Sequence, residues 1–223
     1  MKSSAGFSMV ELLVASAITM AIVAGILAVI GPAQSMARAQ GDATDLHQRL
    51  RAAADTIAAD VRAALAVRPY RIGAMRDDAA IGVYYRPDTL TVLGVPSSPL
   101  SLDADASRTY YLKSVPASDS FQLMQYDGGL SDLPLLDHVV ALSFDYFGRA
   151  GAADPLTRLD PATLVDGPWA EDATQRMFDT DLLRVREVRI LLRLESTDPL
   201  LRRLVPDEEV VLHVALRNVS GIR

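Results

Sequence analysis

The stretch from Phe7 to Ile30 constrains this chain most, because it is predominantly apolar and Glu11 is its one charged residue. As a helix these 24 residues would be roughly 36 Å long, enough to cross a hydrocarbon core of about 30 Å. A charged side chain in an apolar helix is costly in a membrane and usually marks a function. The sequence therefore predicts a membrane-spanning helix half over 7–30 with a functional carboxylate near its start.

The segment before the span is a leader of six residues, Met1 to Gly6, with one cation at Lys2. An ordinary secretory signal is cleaved after its apolar region, at small residues. Here the distinctive junction, Gly6-Phe7, precedes the apolar region, so cleavage there would leave the helix on the mature protein. Lys2 ahead of the span favours a cytoplasmic amino terminus and an exported body.

Gly6, Phe7 and Glu11 in this setting resemble the prepilin-type signal of type IV pilins and type II secretion pseudopilins. The resemblance implies that prepilin peptidase cleaves after Gly6 and methylates the amino group of Phe7. It also implies that Glu11, at the fifth mature position, sets subunit registry by pairing with the amino group of Phe7 on an adjacent subunit. The implied partners are other pilin or pseudopilin subunits, prepilin peptidase, an inner-membrane assembly platform and membrane lipid. The implied location is the bacterial inner membrane, with one span and a periplasmic carboxyl-terminal domain.

Small residues recur within the span at four-residue steps. Ala17, Ala21 and Gly25 form one line, and Ala24 and Ala28 form an adjacent one. Small side chains at this spacing let helix backbones approach closely in lipid, which makes the first line a candidate packing face between subunits. The alternative is that alanine is simply common in apolar helices.

Helical periodicity continues beyond the span, over residues 31–67. Gly31-Pro32 is expected to bend or loosen the helix, and Arg68-Pro69 to stop it. Between them an apolar stripe recurs at spacings of three and four, with charged residues such as Asp60 off the stripe. The stripe consists of Leu46, Leu50, Ala53, Ile57, Val61 and Leu65. Such a stripe favours packing on a domain of the same chain over a free-standing coiled coil.

After Pro69 the apolar residues alternate with a period of two, which is typical of strands buried on one face. We therefore predict an α+β, pilin-like fold, in which the long amino-terminal helix packs on an antiparallel β-sheet domain over 68–223. The predicted strands are 81–85 and 89–93 as a hairpin, 108–113 with 121–126, then 139–147, 188–195 and 210–217. Residues 94–107 are predicted to be a loop.

Residues 148–181 interrupt this pattern and are rich in acids. The seven acidic residues are Asp154, Asp160, Asp166, Glu171, Asp172, Asp179 and Asp181. A long insertion of this kind is often functional, as a partner-binding loop or a calcium site, but its acids lack EF-hand spacing and acidic loops are usually just solvated. No metal site is therefore predicted. Trp169 is a candidate anchor for the insertion.

The rest of the sequence offers little for catalysis. There is no cysteine, His47, His138 and His213 lack metal-ligand spacing, and no serine lies in a nucleophile elbow. A net charge of −6 argues against nucleic-acid binding. The cluster Arg184, Arg186 and Arg189 could serve a subunit interface or lie on the exposed sheet face. We expect neither an enzyme nor a cofactor.

Two classes of function remain at this stage. The first is a minor subunit of a type IV filament, resembling either PilW-like minor pilins or the J-type pseudopilin of type II secretion. Val185 to Arg189 and Val214 to Asn218 look more like PilW, and an intact Glu11 argues against the tip-capping K type. The second is a membrane-tethered enzyme or binding domain unrelated to filaments.

Overall fold

The computed structural model describes residues 8–70, 86–94, 107–116, 120–127, 132–149, 154–171, 177–198 and 201–217. One helix, α1, runs from Met9 to Ala63 and is followed by β-strands and short 3-10 helices. The strands are β1 (Ala66–Arg68), β2 (Leu90–Leu93), β3 (Ser107–Ser114), β4 (Phe121–Tyr126), β5 (Asp132–Gly148), β6 (Thr157–Arg158), β7 (Trp169–Glu171), β8 (Met177–Asp179), β9 (Val185–Leu194) and β10 (Glu208–Ala215). The α+β prediction is confirmed.

The sheet is antiparallel, with strand order β1-β2-β3-β4-β5-β9-β10 among the described residues. β6 adds to β5, while β7 and β8 form a separate hairpin. The second half of α1 lies mainly over β10, with further contacts to β9 and β5. One face of the sheet is thus covered by the helix, as the alternation of apolar residues predicts.

The packed half of the helix follows the predicted stripe closely. Leu46, Leu50, Ile57 and Val61 are at most 2% exposed, and they face the apolar sides of β9 and β5 in one core. Each such side chain contributes about 1.5–3 kcal/mol by leaving water. The stripe prediction is wrong at its end, because Leu65 lies beyond the helix and is 44% exposed.

The helix ends at Ala63, four residues before the predicted end. Ala64, the C-cap, adopts an extended conformation while its N–H still donates to the carbonyl of Asp60 at 2.9 Å. The N–H of Leu65 then donates to the carbonyl of Leu93 at 2.8 Å, and the chain continues into β1. Pairing with β2 therefore satisfies the backbone hydrogen-bonding groups here and is more favourable than continuation of the helix. Pro32 does not end the helix, which is continuous through it.

Most predicted strands appear where the alternation placed them. β3 pairs with β4, and β9 buries Val188, Ile190, Leu192 and Leu194 completely. The predicted alternation in β5 holds for Leu142, Phe144 and Tyr146, which are buried. It fails at Val140, because the register shifts between Val139 and Ala141, so that Val139 is buried and Val140 is only half-buried. The predicted strand 81–85 and most of the loop 94–107 lie outside the described residues, and β2 instead pairs with β1 and β3.

Candidate functional site

The amino-terminal end of the helix is held by a capping box. Ser8 is the N-cap, in extended backbone, and its hydroxyl oxygen accepts a hydrogen bond from the N–H of Val10 at 3.3 Å. In return the Glu11 carboxylate oxygen Oε2 accepts the backbone N–H of Ser8 at 2.9 Å. The two side chains thus satisfy donors that a helix start leaves unpaired. Helix therefore begins two residues after the Gly6-Phe7 bond, a junction that lies outside the described residues.

Glu11 consequently has a partner within its own chain, which the sequence analysis did not foresee. The capping box uses one carboxylate oxygen, and an ionised carboxylate accepts several hydrogen bonds. The second oxygen, Oε1, therefore keeps capacity for a donor from outside the chain. The signal for this arrangement was in the sequence, since Ser8 and Glu11 have the spacing of a capping box.

The apolar half of α1 packs on no other part of the chain that the structure describes. Every residue from Ser8 to Gln34 is exposed, including Ala17, Ala21 and Gly25. These three lie at four-residue steps on the helix, and a side-chain carbon added at Gly25 would meet nothing within 4 Å. Within the described part of the chain, α1 is the one helix long and apolar enough to cross a membrane. We call residues 9–30 the stem.

At the other end of the helix, Asp60 is bound to the sheet through buried polar contacts. Arg108 Nη1 donates to both carboxylate oxygens of Asp60, at 2.7 and 2.8 Å, and the Tyr110 hydroxyl donates to Oδ2. Asp60 is 7% exposed and Tyr110 is fully buried. The hydrogen bond to Asp60 raises the pKa of Arg108 above its ordinary value. Burial, followed by the nearby Asp60 charge, raises the pKa of Tyr110. The sequence pattern predicted that Asp60 lies off the buried stripe. This prediction is wrong, because Asp60 is on the buried face of the helix.

The acidic insertion is built from short elements whose carboxylates bind backbone N–H groups and arginines. Asp160 caps a 3-10 helix, Pro161–Leu164, by accepting the N–H of Ala162 at 3.0 Å. Asp179 is fully buried and accepts the N–H groups of Gly167, at 2.7 Å, and of Asp181, at 2.9 Å. No group of three or more metal-ligating side chains occurs among the residues that the structure describes.

The insertion is anchored by aliphatic residues rather than by its tryptophan. Leu164 is fully buried and Leu182, in the second 3-10 helix (Thr180–Arg184), is 5% exposed. Trp169 is 41% exposed on β7. Arg68 of β1 adds a contact, with its guanidinium 5.2 Å from the centre of the Phe178 ring.

The remaining candidate residues form pairs instead of a catalytic group. Arg184 binds Asp181 at 3.1 Å, and Arg189 binds Asp145, which also accepts a hydrogen bond from Arg158. The histidines do not come together. His47 lies 3.8 Å from Glu208 and His213 lies 2.7 Å from Glu187.

These features define an α+β protein whose single apolar helix extends beyond a sheet domain and fits a single-pass membrane anchor. Residues 1–27 match the family model of the prokaryotic N-terminal methylation motif. The match indicates a type IV pilin-like precursor that is processed by prepilin peptidase. A search of curated proteins and a search of solved structures found no match to this chain.

Proposed function

We propose that the protein is a minor pilin or pseudopilin subunit that acts by binding other subunits during filament assembly and makes or breaks no bond itself. One observation carries the proposal. Glu11 lies one turn into a helix that is exposed from Ser8 to Gln34, while its second half is packed on the sheet. In this proposal the stem joins neighbouring stems and the sheet domain binds other minor subunits.

The proposed registry contact follows from the geometry of the helix start. Cleavage after Gly6 would place the new amino group on Phe7, the residue before the N-cap. The capping box directs the Glu11 carboxylate toward this end of the helix, and one of its oxygens retains hydrogen-bonding capacity. An opposite charge from an adjacent subunit would offset much of the cost of a carboxylate near lipid.

A second line of support concerns the kind of subunit. The two segments that look like PilW, Val185 to Arg189 and Val214 to Asn218, include residues on adjacent strands, where Val188 pairs with Val214 and Glu187 with Ala215. Their resemblance in sequence favours the PilW-like minor pilin in our proposal, with the J-type pseudopilin as the alternative. The proposed domain division has 1–6 as leader, 7–30 as membrane half and an amphipathic helix half that begins at residue 31 and ends at Ala63 instead of at residue 67.

Substitution of Glu11 tests the registry contact. Glu11→Gln retains an acceptor for the Ser8 N–H but removes the charge, whereas Ser8→Ala retains both the charge and the backbone N–H. Glu11→Gln is expected to abolish co-purification with other pilin-like subunits from membranes and to leave leader cleavage intact. Ser8→Ala is expected to retain both co-purification and leader cleavage. Unchanged complexes with Glu11→Gln would show that the charge has no registry role. Absence of any co-purified pilin-like subunit with the unaltered protein would favour a membrane-tethered domain unrelated to filaments.

A further inference from the structure

An apolar groove lies beside α1, a short distance along the helix on the carboxyl-terminal side of the stem. Its volume is about 290 Å³, and its walls include Met36 and Ala39 on α1 and Leu204 and Pro206 on the connection between β9 and β10. Met36 is 68% exposed and Leu204 is 59% exposed. Two large apolar side chains are therefore accessible on opposite walls of one groove.

The charge pattern of the helix places this groove relative to a bilayer. No Asp, Glu, Lys or Arg occurs between Glu11 and Arg38. The uncharged run, Leu12 to Ala37, would be about 39 Å long as a helix, and a bilayer with its headgroup layers is about 40–45 Å thick. In this placement Arg38, the first charged residue beyond the uncharged run, would lie where the helix reaches water. Met36 would lie just inside that point, at the depth of the lipid headgroups.

Other contacts show that residues 201–207 belong to the membrane-proximal end of the sheet domain. Along α1, the Ser196 hydroxyl binds Asp42, Glu208 lies 3.8 Å from His47, and β3 binds Asp60. The helix wall of the groove begins at Met36, before all of these contacts, and extends to Ala43, beside the first of them. Leu204 consequently lies at the level where Met36 enters the headgroup layer.

The chemistry of residues 201–207 suits a lipid surface. Leu204 is preceded by two exposed arginines, of which Arg202 binds Glu195 at 3.0 Å. An exposed apolar side chain can enter the headgroup region while neighbouring cations are attracted to anionic lipid phosphates. We propose that residues 201–207 bind the bilayer that holds the stem, with Leu204 in the headgroup layer and Arg203 on anionic lipid. This inference rests on the membrane anchoring assumed in the proposed function.

The absence of cysteine allows a direct test by single-site labelling of the full chain. Leu204→Cys, Leu133→Cys and Val23→Cys would each carry a small apolar fluorophore. The proteins would be reconstituted into phosphatidylcholine vesicles containing phosphatidylglycerol, with brominated acyl chains as the quencher. Leu133 is a matched control, because it is 56% exposed on β5. Val23 lies in the stem and reports insertion.

The expected result is strong quenching at residue 23 and quenching at residue 204 that exceeds that at residue 133 several-fold. Arg203→Glu is expected to reduce quenching at residue 204, and removal of phosphatidylglycerol should do the same. Arg51→Glu makes the same charge change on α1, about 20 Å farther along the helix than Arg38. This variant is expected to leave quenching at residue 204 unchanged.

Other results would overturn the proposal in distinguishable ways. Quenching at residue 23 with none at residue 204 above the level at residue 133 would exclude the lipid contact and leave the anchor intact. If residue 204 were then also shielded from aqueous iodide, the occupant of the groove would be another protein subunit. Absence of quenching at residue 23 would overturn both the lipid contact and the membrane anchor.

Discussion

Asp60 and Arg108 join the end of the long helix to the third strand of the sheet. Nη1 of Arg108 lies 2.7 and 2.8 Å from the two carboxylate oxygens of Asp60, which is almost fully buried. Tyr110 donates to the same carboxylate. These contacts add to the apolar packing and to the other polar contacts, such as that of Ser196 with Asp42, that attach α1 to the sheet domain.

Removing this carboxylate should destabilise the domain more than removing an exposed one. Asp60→Ala leaves the Arg108 guanidinium and the buried Tyr110 hydroxyl without their acceptor, and we expect a loss of about 2–3 kcal/mol in the free energy of unfolding. Urea unfolding of the full chain in detergent would measure it. Asp55→Ala, an exposed acid on the same helix, is the control. Equal losses for the two variants would contradict the assigned role.

Tyr110 should make stability depend on pH in the alkaline range. Because its pKa is raised in the folded state, the unfolded chain loses this proton first, from about pH 10 upward. The free energy of unfolding should therefore fall above about pH 10, with Tyr110 contributing up to about 1.4 kcal/mol per pH unit. Tyr110→Phe should show a shallower decline in urea unfolding between about pH 9 and pH 11. Identical slopes for the two proteins would refute the assignment.

The packed half of the helix offers a paired test of the corrected helix end. Ile57→Ala should cost about 2–5 kcal/mol, since Ile57 is fully buried in the core. Leu65→Ala, at a position that the apolar stripe also includes, should cost far less because Leu65 is 44% exposed beyond the helix. Thermal or urea unfolding would measure the loss in the free energy of unfolding for each variant. A cost at Leu65 as large as that at Ile57 would mean that the helix continues past Ala63.

The contrast between Ile57 and Leu65 shows what local sequence patterns can predict. The helix through the stem, the stripe from Leu46 to Val61 and the alternation in β9 depend on spacing alone, and the structure confirms them. The burial of Asp60 depends on Arg108, which is 48 residues away along the chain, and no local pattern reports such a partner. The register shift at Val140 and the early helix end likewise depend on which strand pairs with which. Gly6 and Phe7 lie outside the described residues, so their roles rest on the motif.

Asp179 should hold the insertion in its fold. Asp179→Ala removes the acceptor of two backbone N–H groups at a fully buried position, and each buried donor left unpaired costs about 1–3 kcal/mol. We expect faster limited proteolysis within residues 154–171. Asp166→Ala, at an exposed position in the same insertion, should leave the digestion rate near that of the unaltered protein. Equal digestion rates for the two variants would contradict this role of Asp179.

The amino terminus of the protein isolated from its native membranes tests the central claim most directly. Mass spectrometry of the terminal peptide is expected to show N-methylated Phe7 as the first residue, with the stem retained. Gly6→Ala should leave the leader attached. A terminus that still begins at Met1 in the unaltered protein, or one that begins after Ile30, would contradict the assignment to a pilin-like precursor.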